Sequence, residues 1–265
     1  VEILRYAAFS TDPAGGNPAG VVLDAAGLSD AEMLAVAAGV GYSESAFATG
    51  GNRLRYFSPL AEVPFCGHAT VATAVALAHR DGPGTRTFVT NAGEVPVTVN
   101  AAMEATLTSV PTSTAPPADL DALLAALRWD ASELDPSLPP VVAYAGAYHP
   151  IIAVTTRARL AALDYDVPAL TALMTARDWT TVQLVWRESA DTFHVRDPFP
   201  VGGVYEDPAT GAAAAALGGY LRELGATGTF HLRQGDDLGR PGRITVTLVD
   251  GEAGVRVTGA AVPIE

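Results

Sequence analysis

The apolar positions of this chain fall into short runs broken by turn-forming residues, a pattern that mixes strands and helices along one sequence. Residues 3–9 and 19–24 read as short strands, with the turn formers of 12–18 between them. Ser29, followed three residues later by Glu32, is a capping box; it predicts a helix running to about Gly39, with Gly39 or Gly41 ending it. Strands are expected at 44–49 and 53–57, then a turn through Pro59 and Pro64. Residues 67–78 read as a helix whose small side chains, among them Ala69, Ala72, Ala74, Ala76 and Ala78, surround it instead of lining one face. Such a helix is buried on most sides, and a curled sheet would enclose it.

Residues 87–90, 94–99 and 103–109 alternate apolar and polar positions as half-buried strands do. Residues 110–118 then collect Pro111, Pro116 and Pro117, a stretch expected to link two lobes. The first lobe is therefore drawn at 1–113 and the second at 114–257, with residues 258–265 open to return to the first. The second half offers helices near 120–127, 157–163 and 169–176. Its strands are expected near 141–145, 151–155, 181–186, 192–196, 228–232, 244–249 and 254–257. One feature echoes the first half: Phe65-Cys66-Gly67-His68-Ala69-Thr70 opens one alanine-rich helix, and Ala209-Thr210-Gly211-Ala212-Ala213-Ala214 opens another. A duplicated lobe would give an α+β fold of two pseudo-symmetric halves, each of strands wrapped about one small-residue helix, with the two helix N-termini facing each other across a cleft. Alanine-rich helices look alike in any alanine-rich chain, so the echo alone leaves duplication open.

A length of 265 residues suits two lobes, each able to bury its own core. No run of about 18 apolar residues is present to span a bilayer, and the start at Val1 shows no secretory pattern, so a soluble cytoplasmic protein is expected. Sixteen basic against 29 acidic residues leave a net charge of −13, a field that repels phosphate backbones and anionic lipid. Neither nucleic acid nor membrane is expected as a partner. All 16 basic residues are arginine, so a pyridoxal Schiff base and the usual P-loop are excluded. The single cysteine, Cys66, excludes an intramolecular disulfide and a four-cysteine zinc site.

Helix starts at Gly67 and Gly211 would suit a carboxylate, because unpaired N–H groups and the helix dipole meet there; either glycine could equally just end a loop. Glu44 stands at the start of an apolar strand, where a carboxylate has no packing purpose. Desolvation there would raise its pKa towards neutrality and let it take a proton from carbon and return it elsewhere; the alternative is a solvated strand-end glutamate. His68 and Asp207 head the two helical entries and could supply a donor and an acceptor. Their alternatives are a satisfied histidine at a helix start and a turn residue ahead of Pro208. Residues 39–44 follow a helix and lack the third glycine of a dinucleotide fingerprint, and 41–45 lack the last glycine of a nucleophile elbow. Cys66 and His68 have no second ligand pair nearby in the sequence. No cofactor and no metal are expected.

Several segments, in order across most of the chain, carry a family resemblance. They are Phe9 through Gly16-Asn17-Pro18-Ala19-Gly20-Val21, Ser43-Glu44-Ser45-Ala46-Phe47, Arg55-Tyr56-Phe57-Ser58-Pro59, Pro64-Phe65-Cys66-Gly67-His68-Ala69-Thr70 and Glu206-Asp207-Pro208-Ala209-Thr210-Gly211. Together they resemble the PhzF family, the phenazine-biosynthesis isomerase-like proteins, whose wider superfamily includes diaminopimelate epimerase. Coverage is weakest over residues 120–177.

The resemblance implies two similar lobes, each a β-barrel-like sheet around a central helix, with the site between them and commonly a homodimer. It implies that Glu44 is the acid/base, moving a proton on trans-2,3-dihydro-3-hydroxyanthranilate or a related small cyclic or amino-acid-like carboxylate. His68 and Asp207 would position substrate and share charge, and Asn17, Gly67, Gly211 and Ala212 would contact it. Many relatives carry serine where this chain has Ala212, so a hydroxyl is missing at the second anion site and the substrate stays open. Cys66 resembles the first thiol of diaminopimelate epimerase, but the segment from Asp207 to Gly211 offers no second thiol, which disfavours a two-thiol epimerase. A non-catalytic binding protein of the same fold is the alternative of a different class; Glu44, His68 and Asp207 together argue against it, and Ala212 argues for it.

Overall fold

The computed structural model describes every residue from Val1 to Glu265. The chain forms two compact units, Val1–Thr108 with Thr258–Glu265, and Ser109–Val257. In chain order the first contains β1 (Leu4–Ala8), β2 (Asn17–Val22), α1 (Asp30–Val40), β3 (Ser45–Ala48), β4 (Leu54–Phe57), β5 (Glu62–Val63), α2 (Gly67–Asp81), β6 (Gly84–Thr90), β7 (Gly93–Val99) and β8 (Glu104–Thr108). The second contains β9 (Ser113–Ala115), α3 (Leu120–Leu127), β10 (Val141–Tyr144), β11 (Tyr148–Ala153), α4 (Arg157–Ala161), α5 (Val167–Arg177), β12 (Gln183–Arg187), β13 (Thr192–Pro198), β14 (Glu206–Asp207), α6 (Gly211–Glu223), β15 (Gly228–Gln234) and β16 (Gly242–Leu248). The last strand, β17 (Arg256–Pro263), begins in the second unit and runs into the first.

In the first unit the strand order is β5-β4-β3-β2-β1-β17-β8-β7-β6, with β2 and β3 parallel. A bridge between Arg53, just ahead of β4, and Val89 of β6 brings the two sides of the sheet together, so it curls into a barrel-like wall. Helix α2 fills it, and every residue from His68 to Ala78 is buried. Its two threonines tolerate this because Thr70 and Thr73 each return their hydroxyl proton to the carbonyl four residues back, at 2.7 Å. Helix α1 starts on the expected Ser29–Glu32 box and stops at Gly41, which takes the left-handed conformation. It packs Met33 and Ala37 against Val22, Phe47 and Phe57.

The second unit orders its strands β9-β10-β11-β12-β13-β15-β16, with β14 beside the end of β13. Helix α6, buried from Ala213 to Leu221, touches β9, β10, β11 and β16. The sheet closes on it tightly at Gly218, where a Cβ would stand 2.6 Å from Val246 Cγ1 and 2.8 Å from Val255 Cγ1. A separate core under α3, α4 and α5 gathers Leu123, Leu127, Ile152, Leu160, Leu170 and Leu184. No helix is long and apolar enough to cross a membrane.

The proline-rich stretch expected to link the lobes contains a strand: Ser113–Ala115 is β9, antiparallel to β10, and the second unit runs from Ser109. Pro111 precedes this strand and Pro116 and Pro117 follow it, leaving its N–H groups able to join the ladder. The final strand, placed at 254–257, instead runs Arg256–Pro263 and pairs antiparallel with β1, Ala8 opposite Ala261.

Candidate active site

In the first unit a polar cluster grows from the start of α2. Cys66 is the N-cap residue, in extended conformation, and its side chain makes no capping bond. Thr70 donates to the Cys66 carbonyl, so the buried Tyr56 hydroxyl, 2.7 Å from Thr70 Oγ1, is the donor of that second bond; together they pin the helix start to β4. Asn17 opens β2 and Glu44 immediately precedes β3, and because these strands are parallel neighbours both residues arrive at the same end of the sheet.

His68 is the hub. Its Nδ1 lies 3.2 Å from Asn17 Nδ2, and its Nε2 lies 3.5 Å from both Ser43 Oγ and Glu44 Oε2. Cys66 Sγ stands 3.4 Å from His68 Nδ1 and 3.7 Å from Glu44 Oε2. Burial, only partly opposed by Glu44, pushes the His68 pKa below its usual value, so the imidazole is neutral at pH 7. With the Asn17 amide donating to Nδ1, the ring proton sits on Nε2 and faces the carboxylate; the assigned amide orientation sets this tautomer. The Glu44 side chain is 16% exposed, within reach of a ligand yet out of bulk water. The donor atoms of Glu44, Cys66 and His68 all lie within 4.8 Å of one another, a grouping that a thiophilic cation could use. The sequence shows only Cys66 and His68 together, because they open α2 whereas Glu44 arrives from the entrance to β3.

In the second unit Asp207 ends β14, and α6 begins after Thr210. The Thr210 hydroxyl does not cap the helix; it donates to Asp207 Oδ2 at 2.5 Å. Gln234, wholly buried at the end of β15, ties this loop down: its Nε2 donates to the Asp207 carbonyl at 2.8 Å and its Oε1 accepts from Thr210 N at 2.9 Å. Asp207 is 5% exposed, so it is more than a surface turn residue. Beside it Glu206 pairs with Arg196, whose Nε is 3.0 Å and Nη2 2.5 Å from the carboxylate. Neither α2 nor α6 has an acidic residue in its first turn or a side-chain cap, so neither helix offsets its dipole with its own side chains at Gly67 or at Gly211 and Ala212.

The structure thus groups Asn17, Glu44 and His68 with Gly67 in the first unit, and Asp207 with Gly211 and Ala212 in the second. Sequence reading missed the contact of Cys66 with Glu44 and the role of Gln234. A signal for the latter exists: period-two alternation puts Gln234 on the inward face with Phe230 and Leu232. Two surface concavities, one around Thr192, His231 and Arg243 and one around Met33, Arg53 and Glu62, contain none of these residues. The chemistry argues for the clusters, since the titratable groups of the second concavity, Arg55 and Glu62, are already paired with each other at 2.7 Å.

The family model for the phenazine biosynthesis-like proteins, PhzC-PhzF, matches residues 6–265. The chain is 34% identical over 286 residues to an uncharacterized isomerase of Escherichia coli K12, covering 98% of this chain and 95% of that protein. It is 32% identical over 251 residues to the trans-2,3-dihydro-3-hydroxyanthranilate isomerase of Pseudomonas chlororaphis, covering 88% and 85%. The crystal structure of a PhzF-family phenazine biosynthesis protein from Bacillus anthracis matches with a TM-score of 0.88 at 27% identity, covering 99% and 96%. Fold and relatives together make this protein an isomerase. It belongs to the PhzC-PhzF, phenazine biosynthesis-like family.

Proposed function

We propose that the chain is a cofactor-independent isomerase that moves a proton between carbons of a small cyclic or amino-acid-like carboxylate, with Glu44 as shuttle and His68 and Asp207 as its partners. The observation that carries this reading is the setting of Glu44, a half-buried side chain whose Oε2 lies 3.5 Å from a neutral imidazole Nε2 and 3.7 Å from a thiol. The ionised carboxylate takes a proton from one carbon as the C–H electron pair moves into the adjacent π system. The neutral acid then returns that proton to a second carbon on the same face, and the double bond shifts. Atoms balance without any cofactor. Inversion at one carbon would need a second base on the opposite face, and the single cysteine of the chain rules out a two-thiol pair.

Asn17, Gly67, Gly211 and Ala212 are assigned to substrate polar groups, through the amide and the helix-start N–H groups. Trans-2,3-dihydro-3-hydroxyanthranilate, named for the Pseudomonas chlororaphis relative, is the first compound to test. The methyl group of Ala212 offers no hydroxyl, which favours a different or wider substrate range. The test is deuterium incorporation into this compound and related acids in heavy water, with the wild type and with Glu44→Gln. Incorporation by the wild type and a loss of about 10²–10⁴-fold in the folded variant is expected. Undiminished exchange in Glu44→Gln removes Glu44 from the mechanism; no exchange by either protein favours the non-catalytic binder.

A further inference from the structure

The second unit carries a row of buried polar side chains that the proton shuttle does not use. The β13–β14 ladder sets Asp197 directly opposite Asp207. One step beyond the pairing of Leu184 with Arg196, the β12–β13 register brings Gln183 opposite Asp197 on its other side. Just ahead of β12, Thr181 donates its one hydroxyl proton to Asp197 Oδ1 at 3.0 Å and so accepts from His149 Nδ1 on β11 at 2.8 Å. His149, Gln183 and Asp197 have no exposed surface at all, and Thr181 has 1%. Residues directly opposite one another share a face, so these polar groups replace apolar ones across four neighbouring strands. Asp197 Oδ2 has no hydrogen-bond partner, an expensive state for a buried carboxylate.

No cation relieves it. Arg196 alternates to the other face of β13, where it is held by Glu206, and His149 is kept neutral by burial. The charged groups that bear on Asp197 are therefore Asp207 and Glu206 from β14, both negative. With Oδ1 accepting from Thr181, Oδ2 is the oxygen left to carry a proton; the Gln183 amide oxygen on one side and Asp207 on the other face it, and of the two only Asp207 is a carboxylate whose charge that proton would offset.

We propose that Asp197 is a positioning residue: a neutral carboxylic acid whose proton, on Oδ2, holds Asp207 as an oriented carboxylate. The proposal rests on Asp207 belonging to the site, as assigned above, and concerns what sets its charge. Burial first, and then the charge of Asp207, push the Asp197 pKa well above the carboxylate range, while Thr181 and the nearby Gln183 amide work the other way. Two carboxyl groups on facing positions with one proton between them keep one acid and one base, instead of two competing anions.

The test needs no substrate, so it stands or falls apart from the isomerase reading. In the infrared difference spectrum of wild type minus Asp197→Asn at pH 7, a protonated-carboxyl C=O band is expected from the wild type. Its absence overturns the proposal. Carbon-13 titration of the aspartate carboxyls then reads Asp207 by the sign of its response. If Asp197 is an acid donor, Asp197→Leu raises the Asp207 midpoint by about 1 pH unit or more, while Asp197→Asn, which keeps a donor, leaves it within a few tenths. If Asp197 is an anion, both variants lower that midpoint, and the proposal fails; it also fails if Asp197→Leu leaves the midpoint unmoved. Should Asp197→Leu not fold, the infrared band and the Asn midpoint still decide.

Discussion

Replacing Glu206 by glutamine leaves Arg196 buried without its counter-charge. The Glu206 and Arg196 side chains are 0% and 8% exposed, and the guanidinium also spends Nη1 on the Ala161 carbonyl at 2.8 Å, so little of it reaches water. Removing one member of a buried pair costs about 3–5 kcal/mol, chiefly for the orphaned ion. At usual slopes this lowers the urea midpoint on the order of 1–2 M. The assay is specific to the right half of the molecule, because Trp129, Trp179 and Trp186 are all the tryptophans of the chain and all lie in the second unit. Their fluorescence follows that unit alone.

The same reasoning forecasts the double variant Arg196→Met/Glu206→Leu. Burial holds the Glu206 pKa above its ordinary value despite Arg196 beside it, so at the carboxylate desolvation is the larger effect, whereas at Arg196 burial is outweighed by the pairing with Glu206, which keeps the guanidinium charged. Removing both charges should then recover most of the loss, to within about 1.5 kcal/mol of the wild type. A single variant costing less than about 1 kcal/mol, or a double variant as unstable as the single, would refute this account of the pair.

Burial holds His149 at about 4, below the roughly 6.5 of a free imidazole, so as pH falls the unfolded chain takes this proton first. Its contribution is complete above pH 6.5 and is lost towards pH 4, about 3 kcal/mol at the limit. Asp197, with a raised value, acts with the opposite sign, losing stability as pH rises above about 4, so the quantity to measure is the wild-type minus His149→Gln difference in fluorescence-detected urea midpoints. That difference should shrink steadily on acidification, and a constant value would contradict it. Gly218→Ala should destabilise by about 1–2 kcal/mol, the cost of overpacking against Val246 and Val255 less the helix gain of alanine. Gly39→Ala is its control: a Cβ there meets nothing within 4 Å, and calorimetry should show a gain of up to about 1 kcal/mol.

What the sequence revealed depended on how local the signal was. Helices α2 and α6 were visible because small residues recur all round them, and Glu44 because a lone carboxylate stands at the entrance to Ser45–Ala48, an apolar strand. Asn17 and His68 were legible as motif residues, but their 3.2 Å contact joins positions 51 apart in the sequence. The two-residue strands β5 and β14 are too short for alternation to show. The row from His149 to Asp207 was hidden for a related reason. Each strand contributes one or two polar residues to it, and within an apolar strand these read as ordinary interruptions; only the register across strands makes them a group.

The position of β17 between β1 and β8 gives the molecule an order of completion. The second unit is one continuous stretch, ready to fold once residue 257 has been made. The first must wait for Thr258–Pro263, and until they arrive β1 and β8 present unpaired edges on which another chain could grow. Asn17, Glu44 and His68 thus leave the ribosome early, yet sit in the wall that is sealed last.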